Sequence, residues 1–188
     1  QKECAIFISA RGGSKGLKNK NLKLFASKPL VYWSVAQAKK TKFKNDIYLS
    51  SDSERILDIA RQNNVNLIKR PKSISKDNST TEKSILHFLK KTNIFYKYII
   101  LLQPTSPLRY DYDIENAFKK IKKDKTNSLF SACYFSDFTI WQKKVKLSPY
   151  NYNINKRQMR QDHNGYYLEN GSIYIFKSES IIRNNNRF

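Results

Sequence analysis

The sequence predicts an α/β fold: a mostly parallel sheet with helices on both faces. Three observations predict it. Short apolar runs rich in β-branched and aromatic residues alternate with helix-like stretches along most of the chain. Some runs are continuous, as in Tyr98-Ile99-Ile100-Leu101-Leu102, which suits strands buried on both faces. Several intervening stretches carry helix start signals.

The elements follow in order. Cys4 to Ala10 is the first strand, and the loop Arg11 to Lys23 leaves its end. Pro29 opens a helix presenting Leu30, Trp33 and Ala36 or Gln37 at helical spacing. Asp46 to Ser50 is the next strand, after which Asp52 or Ser53 caps a helix that turns Ile56, Ile59 and Ala60 inward. Val65 to Ile68 is a third strand. Ser79-Thr80-Thr81-Glu82 reads as a capping box ahead of Ile85, Leu86 and Leu89. Tyr98 to Leu102 runs into the loop Gln103 to Arg109, and Asp111 or Asp113 caps a helix bearing Ile114, Phe118 and Ile121. Ser128 to Tyr134 and Ser172 to Phe176 complete the sheet. Between them, Phe135 to Leu168 is polar, aromatic-rich and long for a connection, and reads as an insertion with its own structure or a partner-facing arm.

Composition narrows the class. The chain has 188 residues, 39% hydrophobic and 13% aromatic, enough for one domain with a proper core. No apolar run approaches the ~20 residues of a spanning helix, and the N-terminus, Gln1, opens no signal-peptide pattern. The two cysteines, Cys4 and Cys133, lie in strand-like runs and read as buried thiols of a reducing compartment. With two histidines there is no zinc-type cluster. The expectation is a cytoplasmic protein. The net charge of +21 arises from 36 Lys and Arg against 15 Asp and Glu, and the lysines are spread along the whole chain. A nucleic-acid module would cluster them among exposed aromatics. A solvated basic surface is therefore expected, with no specific nucleic acid and no membrane.

In open parallel sheets, ligands lie beyond the carboxyl ends of the strands, which directs attention to the loops Arg11 to Lys23 and Gln103 to Arg109. In Ala10-Arg11-Gly12-Gly13-Ser14-Lys15-Gly16-Leu17-Lys18-Asn19-Lys20-Asn21, glycines let backbone N–H groups approach a phosphate chain. Arg11, Lys15 and Lys20 add cations that offset charge building on a triphosphate. The spacing is neither a Walker A loop nor a dinucleotide fingerprint.

This loop resembles the signature of the acylneuraminate cytidylyltransferases, the CMP-sialic acid synthetase family. Three further segments agree in order. Lys69-Arg70-Pro71 with Ser75-Lys76-Asp77-Asn78-Ser79-Thr80-Thr81 is similar to a second nucleotide-contacting stretch. Leu101-Leu102-Gln103-Pro104-Thr105-Ser106-Pro107-Leu108-Arg109 is similar to the family's most recognisable motif. Arg160-Gln161-Asp162, then Tyr167-Leu168-Glu169-Asn170-Gly171-Ser172-Ile173-Tyr174, resembles its sugar-site region.

The resemblance implies a Rossmann-like nucleotidyltransferase fold and the transfer of CMP from CTP to the anomeric hydroxyl of an acidic nine-carbon sugar, with loss of pyrophosphate. By resemblance, Arg11, Gly12, Gly13, Ser14, Lys15, Lys20 and Asn21, with Arg70, Ser79, Thr80 and Thr81, hold the nucleotide. Arg11, Lys15, Lys20 and Arg160 take catalytic roles. Gln103 orients a sugar hydroxyl or the base, or satisfies loop backbone. Arg160 meets the sugar carboxylate or a phosphate, with Arg157 a weaker candidate; some relatives carry two adjacent arginines where this chain has Met159 and Arg160. Asn170, Tyr174 and Phe188 line the sugar pocket, although a core role competes for Tyr174. Arg109 is expected to shape its loop by pairing with a carboxylate.

The resemblance also implies Mg²⁺, held by aspartates downstream of the position matching Phe188. The domain is thus expected to be C-terminally incomplete, and no metal ligand is named; Asp52 is a possible acidic contact, better read as a helix cap. A homodimer through the inserted segment 135–168, with Phe138, Trp141, Tyr150 and Tyr152, is expected. Three alternatives stay open. They are the same reaction on legionaminic, pseudaminic or an eight-carbon acid, an inactive nucleotide-binding relative, and a basic nucleic-acid-binding module.

Overall fold

The run Cys4-Ala5-Ile6-Phe7-Ile8 has no solvent side to offer, and it sits at the middle of a six-stranded sheet. The computed structural model describes residues 1–14, 16–136, 139–143, 145–162 and 164–188, with Arg160 described by its backbone. In chain order the elements are β1 (Lys2–Ser9), β2 (Leu24–Phe25), β3 (Lys28–Pro29), α1 (Leu30–Lys39), β4 (Ile47–Ser51), α2 (Glu54–Gln62) and β5 (Asn66–Lys69). There follow α3 (Thr81–Thr92), β6 (Tyr96–Leu102), α4 (Asp113–Asp124), β7 (Ser128–Phe135), β8 (Trp141–Lys143), β9 (Leu147–Pro149), β10 (Tyr166–Lys177) and α5 (Ser178–Asn184). The main sheet runs β5-β4-β1-β6-β10-β7.

Parallel pairing joins β5, β4, β1 and β6, with Ile6 opposite both Ile47 and Ile100. Alternate side chains then point to opposite faces. Cys4, Ile6 and Ile8 join Val31 and Val35 of α1, Ile56 of α2 and Phe118 of α4. Ala5 and Phe7 join Ile85 and Phe88 of α3 and Ile181 of α5. Helices on both faces are what allow a strand to be apolar throughout. Each fully buried Ile or Phe contributes about 1.5–3 kcal/mol of transfer free energy.

Two features depart from the simple alternation. First, β10 pairs antiparallel with β6. The chain leaves by β7 and returns as β10 with no α helix between them among the described residues, so it lacks the crossover that a parallel return requires. Second, the chain divides into two compact units: Gln1–Ser131 with Gly171–Phe188, and Ala132–Asn170. Within the second, β8 and β9 pair antiparallel, the Ile140 N–H donates to Asn151 Oδ1 at 2.7 Å, and the Tyr166 hydroxyl donates to the Asn151 carbonyl at 3.1 Å.

Local corrections concern helix faces and caps. The buried side of α1 is Val31, Ser34, Val35, Gln37 and Ala38: of the predicted Leu30, Trp33 and Ala36 or Gln37, only Gln37 lies on it. The N-cap of α3 is Thr80 rather than Ser79, with Lys83 N–H donating to Thr80 Oγ1 at 3.4 Å. Neither Asp111 nor Asp113 caps α4: Asp113 is its first residue and accepts from Tyr110 N–H, while Asp111 pairs with Lys40. Cys133, predicted buried, is exposed. Among the described residues, no helix is long and apolar enough to cross a membrane.

Candidate functional site

The loop after β1 is held by three contacts that its sequence makes possible. Gly12 N–H donates to Asp52 Oδ1 at 2.8 Å, and a Cβ on Gly12 would lie 2.8 Å from Ser53 Cβ. Only glycine permits that approach. Asn21, buried, donates from Nδ2 to the Arg11 carbonyl at 2.9 Å. Arg11 itself reaches Asp77 Oδ1 at 2.8 Å. Asp52 therefore anchors the loop rather than capping α2, whose N-cap is Ser53.

These contacts shape a cleft of about 310 Å³ at the carboxyl ends of the parallel strands. Its walls come from Ser9 and the loop residues Arg11, Gly13, Ser14, Lys20 and Asn21; from Arg70 and Asp77; from Ser79, Thr80 and Thr81 at the start of α3; and from Leu101, Gln103, Pro104 and Thr105. Hydroxyls and N–H groups at the first turn of α3 sit at the positive end of a helix dipole, a setting that favours anions.

Arg70 is the buried cation of this cleft. It follows β5, is 6% exposed, and donates to Ser50 Oγ at 3.3 Å, the Ser50 carbonyl at 2.7 Å and Ser9 Oγ at 3.1 Å. Burial pushes its pKa down to about 10, Arg11 adds to the fall, and Asp52 opposes it. It stays charged at neutral pH, with no carboxylate salt bridge among the described residues. A desolvated cation without such a counterion is poised to attract an anion.

Arg109 is buried too, but it does not pair with a carboxylate as expected. It donates to the carbonyls of Gln103 and Ser172, to Ser34 Oγ and to Gln37 Oε1, and burial pushes its pKa down to about 10. Gln37 closes the network by donating to the Pro107 carbonyl at 2.6 Å. The Gln103 amide side chain meanwhile lies close to Gly171, whose φ of +68° would strain any side chain there and whose Cβ would come within 3.2 Å of Gln103 Oε1.

The predicted residues thus divide. Arg11, Gly13, Ser14, Lys20, Asn21, Arg70, Ser79, Thr80, Thr81 and Gln103 share one cleft, and Gly12 supports it from behind. Tyr174 does not line this cleft: it is a 3%-exposed core residue of β10, because its position alternates inward with Phe176. Phe188 packs on Tyr174 and Phe130, away from the cleft lining. Asn170 belongs to the second unit, where its Nδ2 lies 3.8 Å from Cys133 Sγ. Arg157 and the short 3-10 turn Arg160–Asp162 are in that unit as well. Lys15 and Phe138 lie outside the described residues, as does the side chain of Arg160. Sequence reading placed Asp77 in a nucleotide-contacting stretch without giving it a role of its own, and missed Ser9.

For the implied Mg²⁺, among the described residues no group of three His, Cys, Asp or Glu side chains could hold a metal ion. Asp52 and Asp77 already engage Gly12 and Arg11. Among the described residues, these two acids of the cleft region are thus spent on holding the loop rather than forming a metal centre.

Residues 5–187 match the family model for cytidylyltransferases. The chain is 32% identical to the N-acylneuraminate cytidylyltransferase of Oncorhynchus mykiss over 97% of this chain and 43% of that protein. It is also 32% identical to the CMP-N,N'-diacetyllegionaminic acid synthase of Legionella pneumophila, over 94% of this chain and 79% of that protein. A solved CMP:2-keto-3-deoxy-manno-octonic acid synthetase, complexed with CTP, shares the fold at a TM-score of 0.71 and 17% identity, covering 98% of this chain and 78% of that one. The chain spans less than half the length of the trout relative and of a Danio rerio one.

Proposed function

This chain belongs to the cytidylyltransferase family, and from that premise we propose that it transfers CMP from CTP to an acylneuraminate-type sialic acid. The observation that carries the reading is Arg70: a buried cation with no carboxylate partner among the described residues, in one cleft with Arg11, Lys20 and the α3 N-terminus. In this reaction the anomeric hydroxyl oxygen attacks the α-phosphorus, the bond to the β-phosphate oxygen breaks, and pyrophosphate leaves while the hydroxyl proton passes to solvent. The chain's cations would hold the triphosphate in line and offset charge on the departing pyrophosphate. Gln103, at the exit of β6, would face the sugar. We propose Mg²⁺ as a companion of the nucleotide, since Mg²⁺ on phosphates needs few protein ligands.

A second reading, transfer to a diacetyllegionaminic acid, is favoured by the Legionella relative, which matches at equal identity and of which far more is covered. Pyrophosphate release measured with each of the four nucleoside triphosphates against a panel of acidic sugars tests both. Release with CTP and a sialic acid supports the first; release with CTP and only legionaminic acid selects the second. No release with any pair, from a chain that also fails to bind CTP, overturns the enzyme reading.

Self-association through the second unit is part of the proposal. That unit exposes Tyr134, Trp141, Leu147, Tyr150 and Tyr167, large apolar side chains of the kind that interfaces cover.

A further inference from the structure

Arg187 lies outside the cleft lining, yet it grips the element that forms one of its walls. Its guanidinium pairs with Glu82, the second residue of α3. It also lies 4.8 Å from the centre of the Tyr174 ring and 5.1 Å from that of Phe188. The two charged side chains are only 17% and 16% exposed. Surface pairs such as Lys120–Asp124, on side chains 67% and 37% exposed, add little. A shielded pair held against aromatic rings is attracted more strongly and has fewer alternative geometries.

Glu82 follows directly on Thr80 and Thr81, the cap and first residue of α3, which line the cleft. As the second helical residue, Glu82 is one position short of the reciprocal capping contact that its spacing from Ser79 predicts. Its carboxylate goes to Arg187 instead. We infer that Arg187 is a positioning residue that acts through Glu82 to hold the Thr80–Thr81 turn where a bound nucleotide needs it. The inference rests on the nucleotide reading of the cleft.

Calorimetric titration with CTP, paired with thermal melts, tests it on the full chain as wild type, Arg187→Met, Glu82→Gln and the Glu82→Arg/Arg187→Glu exchange. Each single variant should bind CTP roughly tenfold more weakly, a difference of about 1.4 kcal/mol. The exchange should recover part of that loss. Single variants that melt earlier but bind CTP like wild type would make the pair purely structural and overturn the inference, as would variants unchanged in both. Should Arg187→Met fail to fold, Arg187→Lys keeps the charge but lacks the planar fork. Weaker CTP binding with faster amide exchange at Thr80–Lys83 supports the inference there, and wild-type affinity overturns it. A wild-type chain that binds no CTP would instead remove the nucleotide reading itself.

Discussion

The Arg109 guanidinium donates to the Gln103 carbonyl at 2.6 Å, and the same nitrogen donates to the Ser172 carbonyl at 2.8 Å. One buried cation thus ties the loop leaving β6 to strand β10, with Ser34 and Gln37 of α1 as its further acceptors. Arg109→Met would leave these buried groups short of a donor. We expect a loss of at least about 3 kcal/mol, which for a chain of this size is a fall in melting temperature of about 6–12 °C. Arg109→Lys should recover less than half, because an ammonium cannot reproduce the fork. A thermal melt within about 2 °C of wild type would refute the network's structural weight.

Gly12 and Gly13 are adjacent and chemically identical, but their surroundings differ. A methyl group on Gly12 meets Ser53 Cβ at 2.8 Å, whereas one on Gly13 meets nothing within 4 Å. Gly12→Ala should cost about 1–3 kcal/mol through overpacking and weaken CTP binding by moving the loop off Asp52. Gly13→Ala should stay within about 0.5 kcal/mol in stability. Urea titrations of the two variants decide it; equal losses would mean that the Ser53 contact yields without strain.

The contrast between α1 and the phosphate-type loop explains how much the sequence could tell. The loop was legible because its chemistry is contiguous: glycines, Arg11, Ser14 and Lys20 fall within one short stretch after a strand. The inward face of α1 was misread because Ser34 is polar, so apolar periodicity steps over it, and Gln37 stood only as an alternative to Ala36; both face inward to meet Arg109, more than seventy residues away. Long separation in sequence likewise hid the pairs Gly12–Asp52, Arg11–Asp77 and Glu82–Arg187. Continuous apolar strands announced a sheet covered on both faces, but nothing in their composition fixes the sense of β10, which depends on how the chain returns to the sheet.

His87 should make stability fall with acid. Its Nδ1 is buried without a hydrogen-bond partner among the described residues. Its pKa is lowered by burial first, then by Lys91 and Arg70. The folded chain therefore binds the proton less readily than the unfolded chain, so stability rises with pH across the interval between the folded value and about 6.5. Lowering the pH through that interval should depress the melting temperature, and His87→Gln should flatten this part of the curve. Parallel wild-type and variant curves from pH 7.5 to 5.5 would show that His87 takes no part.

The aromatic surface of the second unit should be covered in solution. Trp141 and Tyr150 are 44% and 67% exposed, and aromatic residues are enriched at interfaces relative to the rest of a protein surface. Light scattering at micromolar concentration should return twice the mass of one chain, and Trp141→Ser with Tyr150→Ser should return it to one. A wild-type monomer under those conditions would remove the proposed dimer.

Arg70 separates stability from ligand binding. Its burial is unfavourable for a charge, and two of its acceptors keep other partners when it is removed. The Ser50 carbonyl also accepts from Ala10 N–H at 3.0 Å, and Ser9 Oγ lies 3.3 Å from Ser84 Oγ. Only Ser50 Oγ loses its bond, and a hydroxyl can turn toward a neighbouring carbonyl. Arg70→Met, close in length and apolar, should therefore melt within a few degrees of wild type or above it. CTP at one hundred times its Kd stabilises a binding-competent chain by about 2.7 kcal/mol, or roughly 5–10 °C here. The wild type should show that shift, and Arg70→Met should show almost none. Were Arg70→Met to unfold instead, the guanidinium would be a structural tie between β1 and β4. Were it to keep the full CTP shift, the nucleotide would be held by Arg11, Lys20 and the α3 N-terminus without it.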